Sequence, residues 1–164
     1  MPELTQGEFQ RIPNEFWIKW NFPNTVGAMD GKHIRLRAPP IFFNYKAFFS
    51  IVILAIVDAN YKFIAVDVGA YGKGDSAILK KSTMGQKIIG NNFNFSGPEC
   101  LPGTNTKLNH FLLGDEAFGL DTYLMKPYTK KVAKNDVTKQ TFNYRLCRAR
   151  RVSENAFWVA LPSI

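Results

Sequence analysis

The stretch NTVGAMDGKHIRLRAPP, residues 24–40, decides how the rest of the chain is read. An apolar run, Val26 to Met29, leads into one acid, Asp30, and a glycine; Lys32, His33, Arg35 and Arg37 follow. TVGAMD reads as a short strand. IRLRAPP alternates apolar and basic residues and reads as a second, half-exposed strand that Pro39 and Pro40 terminate. Taken alone, Asp30-Gly31 is a tight turn, because Asp-Gly suits a type I′ hairpin. Against that plain account stands the company the acid keeps: one carboxylate at the end of a buried-looking strand, followed closely by cations.

Working outward, FFSIVILAIVD is apolar on both faces, which predicts a central buried strand. ANY then turns the chain into KFIAVDVGA, so the two strands form an antiparallel hairpin. DSAILKKSTMGQKIIG has helical spacing at Ile78, Leu79, Met84 and Ile88 and a glycine stop at Gly90. Residues 91–110 lack periodicity and read as a loop. HFLLGDEAF is a short strand ending at Asp115. TKQTFNYRLCRARRVSENAFWVAL is a long helix whose core stripe is Phe142, Leu146, Ala149, Ser153, Ala156 and Ala160. Before all of these, GEFQRIPNEFWIKW predicts an amphipathic helix interrupted near Pro13. After the N-terminal helix, and with the half-exposed IRLRAPP not counted separately, the order is strand, strand, strand, helix, strand, helix. It divides the chain into an N-terminal helical segment, 1–23, and an α/β domain, 24–164.

Length and composition narrow the function. The 164 residues are one domain's worth, and 46% hydrophobic content excludes a disordered chain. The longest apolar run, Ile51 to Val57, is too short to span a membrane. The opening MPELTQGEFQRI carries acids and no apolar core, unlike a signal peptide. Cys100 and Cys147 lie far apart and make no metal or disulfide pattern, which fits a reducing compartment. Twenty-one Lys and Arg against thirteen Asp and Glu give a net charge of +8 and a pI near 9.6. That field favours polyanions such as nucleic acid or an anionic membrane, although many basic proteins bind neither.

Against this basic background, three acids stand at informative places: Asp30 and Asp115 at strand ends, and Glu154 on the last helix. Asn143, Cys147, Arg150 and Glu154 are spaced i, i+4, i+7 and i+11 and share one narrow face beside the core stripe. That face brings Glu154 toward the strand ends. Converging carboxylates repel and raise one another's pKa. A hard divalent cation resolves the conflict, and a pair of such ions stabilises an in-line displacement at phosphorus. Lys32, Arg35, Arg37, Arg145, Arg148 and Arg151 are then candidates for binding a nucleic-acid backbone.

GAMDGKHIRL, YKAFFSIVILAIVDANYKFIAVDVGAYGKGDS, LLGDEAF and FNYRLCRARRVSENAF resemble, in order, the motifs of the Harbinger-type transposase nuclease domain. The resemblance runs from about Trp17 to Phe157. It implies an RNase H-like mixed sheet covered by helices, with a DDE-type metal centre. The family's acids fall on Asp30, Asp115 and Glu154 as catalytic residues, with Asp75 as a further metal ligand beside them. Arg150 and Asn143 are expected to support the centre from the helix face. The implied cofactors are two Mg²⁺ or Mn²⁺ ions. The implied substrate is DNA, hydrolysed by metal-activated water. The expected partner is a separate DNA-binding protein, and the expected compartment is the nucleus, with the cytoplasm second. Departures from the family pattern are Trp158 in place of a glycine, Pro162 soon after it, Cys147 in place of a serine, and a shortened YGKGDS segment. The short segment leaves the register of Asp75 open, while the end soon after Pro162 and a start just before the nuclease domain, where full-length members carry an N-terminal DNA-binding region, lead to the expectation of a C-terminally truncated fragment.

Each of these residues also has a plain account. Asp75 can be a helix N-cap beside Ser76, Asp115 a cap for the segment after its strand, and Glu154 a surface partner of Arg150. His33 reads as a surface or backbone-contacting residue, since hard cations prefer oxygen, and His110 as structural. Asp58 and Asp67 read as turn or strand-edge residues. Phe42, Phe43, Tyr45, Phe48 and Phe49 read as core, with one or two free to stack on bases. Three functions follow: a metal-dependent DNA endonuclease of the transposase type, a catalytically inactive nucleic-acid-binding module derived from one, and an unrelated basic α/β enzyme.

Overall fold

The computed structural model describes residues 4–35, 50–71, 74–93 and 95–161, and the side chains of 69–71 are not among those described. Arg37, Pro39, Pro40, Pro162 and the aromatics Phe42, Phe43, Tyr45, Phe48 and Phe49 lie outside the described residues.

Helix α1 (Gln6–Trp20) starts on a capping box, in which the Thr5 hydroxyl accepts the Glu8 N–H and the Glu8 carboxylate accepts the Thr5 N–H. Pro13 does not interrupt it. One missing backbone donor is outweighed by the buried stripe of Phe9, Ile12, Pro13 and Phe16. That stripe joins the same core as the sheet, so the N-terminal helix is part of the domain's packing.

Strand β1 (Thr25–Arg35) corrects the reading of its own residues. It is one strand of 11 residues running straight through Asp30-Gly31, so no hairpin turn forms there and Asp30 lies mid-strand. The reason is its partner. Strand β2 (Ser50–Val57) offers an uninterrupted apolar ladder, and Ala28 to Arg35 pair antiparallel with Val57 to Ser50. Strand β3 (Phe63–Tyr71) completes an antiparallel hairpin with β2. The Asp58 carboxylate closes that hairpin by accepting the N–H groups of Asn60 and Lys62.

Residues 75–90 form two helices, not one: α2 (Asp75–Lys81) and α3 (Thr83–Ile89). Ser82 is extended between them and caps α3 by accepting the Gly85 N–H. Gly85 lies so close to the Leu79 carbonyl that a β-carbon there would overlap it. The expected loop 91–110 contains a short hairpin, β4 (Glu99–Cys100) with β5 (Lys107–Leu108), which the Asn24 amide anchors by donating to the Glu99 and Leu108 carbonyls.

Strand β6 (Phe111–Leu113) pairs parallel with β1, and β7 (Leu124–Met125) pairs parallel with β6. The single turn α4 (Lys130–Ala133) precedes the long helix α5 (Val137–Ala160). The main sheet has the order β3-β2-β1-β6-β7, mixed and helix-covered, consistent with the RNase H-like class. Helix α5 buries Leu146, Ala149, Val152, Ser153, Ala156 and Phe157 and packs on β1, β2 and β6. Phe142 is half-buried and Ala160 exposed, so the stripe tilts one position toward Val152 and Phe157. Among the described residues no helix is long and apolar enough to cross a membrane.

Candidate metal centre

Asp30 sits on the central strand, where its neighbours across the sheet are Ala55 and Val66. Lys32, two residues on, faces the same way, and its ammonium lies 5.2 Å from the centre of the Trp158 ring on α5. Helix α5 therefore covers the face that carries Asp30. The parallel register Ala28↔Leu113 carries residue 115 level with residue 30. Strand β6 ends at Leu113, so Asp115 starts a turn instead of finishing a strand. Its carboxylate accepts the Ala117 N–H at 2.9 Å and its carbonyl accepts the Phe118 N–H. The Lys126 ammonium donates to the carbonyls of Glu116 and Phe118 and ties that turn down.

From the helix come Arg150 and Glu154, joined by an ion pair of 2.7 Å. The Arg150 side chain is only 16% exposed, and its Nε has no hydrogen-bond partner among the described residues. Burial of Asp30 pushes its carboxyl up to about 6. The Arg150 guanidinium and the Gly31 N–H oppose that rise, while the negative charges of Asp115 and Glu154 add to it. Asp115, Glu154 and Arg150 are thus all near enough for their charges to act on Asp30.

Asp75 approaches from elsewhere. A β-carbon on Gly31 would stand 2.6 Å from an Asp75 carboxylate oxygen. Strand alternation turns that direction of Gly31 away from the Asp30 side chain, so Asp75 meets β1 from the other side of the sheet. It lies in the first turn of α2, whose N-cap is Gly74. Asn143 does not support the acids: its side-chain oxygen accepts the Tyr128 N–H and its amide donates to the Tyr128 carbonyl, both at 2.8 Å. The face predicted from residue spacing divides accordingly: Asn143 is taken by Tyr128, whereas Arg150 and Glu154 are near enough to act on the charge of Asp30.

Of the predicted backbone-binding cations, Arg35, Arg145, Arg148 and Arg151 are exposed and Lys32 is half-covered. The His33 ring bonds the Ser50 hydroxyl. His110 is buried between the Ser96 carbonyl and the Glu99 carboxylate. Asp67 accepts the Met84 N–H at the start of α3. Lys126 is a positioning residue that the sequence reading missed; nothing in its local spacing ties it to Asp115.

Carboxylate oxygens are the donors a hard divalent cation prefers, and such a cation would offset the negative charges of Asp115 and Glu154 that help to raise the Asp30 carboxyl. Among the described residues, no three acid, histidine or cysteine side chains are gathered as a ready metal-ligand group. Glu154 is directed at Arg150, and Asp115 holds its own turn.

A family model described as DDE superfamily endonuclease matches residues 29–159. The chain belongs to this DDE endonuclease family. The match begins one residue before Asp30 and includes Asp75, Asp115 and Glu154. This DDE family member is similar to Protein ALP1-like of Arabidopsis thaliana, with 26% identity over 155 residues, 91% of this chain and 38% of that protein. It is also similar to Putative nuclease HARBI1 of Rattus norvegicus, with 24% identity over 127 residues, 74% of this chain and 32% of that protein. The chain therefore spans about a third of the length of these two relatives. No solved structure matches it significantly.

Proposed function

We propose that this transposase-derived nuclease module hydrolyses DNA phosphodiester bonds with the help of divalent metal. The observation that carries the reading is the desolvated Asp30 carboxyl, raised to about 6 beside the charges of Asp115 and Glu154. Asp30 and Asp115 are the residues that would hold the metal, with Glu154 joining them and Asp75 the least favoured ligand, since it meets β1 from the other face. When bound, such an ion supplies Lewis-acid polarisation of the scissile phosphate. The chain's own groups do the rest. Arg150 holds the Glu154 carboxylate in place and brings positive charge against Asp30. Exposed Arg35, Arg145 and Arg148 meet the DNA backbone, whose charge dominates affinity. A separate protein supplies sequence-specific binding.

A second reading, an inactive nucleic-acid-binding module, is favoured by the Arg150–Glu154 ion pair, which already neutralises one of the acids. Plasmid nicking separates the two. The nuclease reading expects Mg²⁺- or Mn²⁺-dependent nicking that EDTA abolishes and that Asp30→Asn, Asp115→Asn and Glu154→Gln each remove. DNA binding without nicking at any metal concentration would leave the second reading.

A further inference from the structure

Helix α5 carries a second patterned face. Tyr144, Arg148, Arg151 and Asn155 repeat the i, i+4, i+7, i+11 spacing one residue along from the face that includes Glu154. With Trp20 at the end of α1 they line a groove of about 500 Å³. Tyr144 is 67% exposed. Trp20 is half-buried, its indole N–H donating to the Ala59 carbonyl, and the Tyr61 ring stands edge-on to it at 6.3 Å. Among the described residues, no carboxylate lines the groove or pairs with Arg148 or Arg151. A second concavity, lined by Lys130, Lys134 and Gln140, adjoins it through Asn143, which lines both. From Gln140 to Asn155 the helix spans about 22 Å at 1.5 Å per residue.

We propose that this track binds a single-stranded segment of nucleic acid, its phosphates on Lys130, Lys134, Arg148 and Arg151 and a base stacked on Tyr144. Charge selects a polyanion. The exposed ring selects an unpaired one, because the faces of paired bases are stacked inside a duplex, whereas a single strand can lay a base on an aromatic side chain. Glu154 lies one helical turn from Arg151, so a strand held here runs toward the acidic centre. The proposal goes beyond cleavage: it needs neither the acids nor metal, and so binding and nicking can fail separately.

The test is fluorescence anisotropy of a labelled oligothymidylate with the whole chain in EDTA, beside a labelled hairpin duplex. The oligothymidylate should bind more tightly than the duplex. Tyr144→Ala, on an exposed helical position, should fold normally and lose about 5- to 100-fold in oligothymidylate affinity while duplex affinity is little changed. Arg148→Ala and Arg151→Ala should each lower the salt-dependence slope by about 0.7. Equal affinity of Tyr144→Ala and the unaltered chain would overturn the proposal. So would a duplex preference, or displacement of the oligonucleotide by polyglutamate at equal charge.

Discussion

Ionised Asp30 occupies a desolvated place in the middle of β1, and the energetics of that charge can be tested. Unfolded, the group titrates near 3.8; folded, at about 6. Well below pH 3.8 both states are protonated and the fold carries no penalty. As pH rises toward 6 the unfolded chain ionises first, so stability falls, and above the folded pKa the whole penalty applies, at most about 3 kcal/mol. Asp30→Asn should therefore raise the melting temperature at neutral pH by several degrees and change it little at about pH 4, while abolishing nicking. Thermal melts at the two pH values check this, and a less stable variant at neutral pH would contradict it. Arg150 is the strongest influence holding the Asp30 pKa down after burial has raised it. Arg150→Gln should lower nicking far more than DNA affinity, measured side by side at several salt concentrations. Equal losses in the two assays would make Arg150 merely another backbone cation.

Elements place these residues, and they differ in how plainly the sequence declares them. The β2–β3 hairpin and the long helix α5 are legible because apolar runs and helical spacing extend over many residues. Strand β7 and the β4–β5 hairpin are not, since two-residue strands have no period and depend on partners distant in sequence, such as Asn24. The Asp-Gly pair misleads for a related reason: local turn preference is overridden by a full ladder to β2. Glu154 is legible from spacing, but Asn143 on the same stripe is taken by Tyr128, because the segment before α4 lies against the start of the helix. Asn143→Ala should therefore destabilise by about 1–2 kcal/mol in denaturant melts and leave the nicking rate of the folded protein unchanged. Gly31→Ala tests how α2 meets β1. The new β-carbon would meet the Asp75 carboxylate, which must leave its present rotamer, and the expected loss is about 1 kcal/mol. Combining it with Asp75→Ala should return much of that loss, and additive losses in the double variant would show that the two positions do not touch.

At the scale of the molecule, the acids stand on unlike supports. Asp30 belongs to a strand that β2 pairs from Ala28 to Arg35 and β6 pairs as far as Ala28; Glu154 belongs to a helix that buries six residues; Asp115 hangs on a turn held by its own carboxylate and by Lys126. Metal that binds only the folded chain should raise its stability by about 2.7 kcal/mol at a hundred times the dissociation constant, measured by melts with and without Mn²⁺. The three supports also set three clocks for amide hydrogen exchange. The Asp30 amide should exchange only with global opening, the Glu154 amide at an intermediate rate through fraying of the last turns of α5, and the Ala117 amide fastest, through release of a single side chain. Metal that draws Asp115 away from Ala117 would speed exchange at Ala117 even as it slows exchange elsewhere, so one amide should move against the rest of the spectrum when the ion arrives.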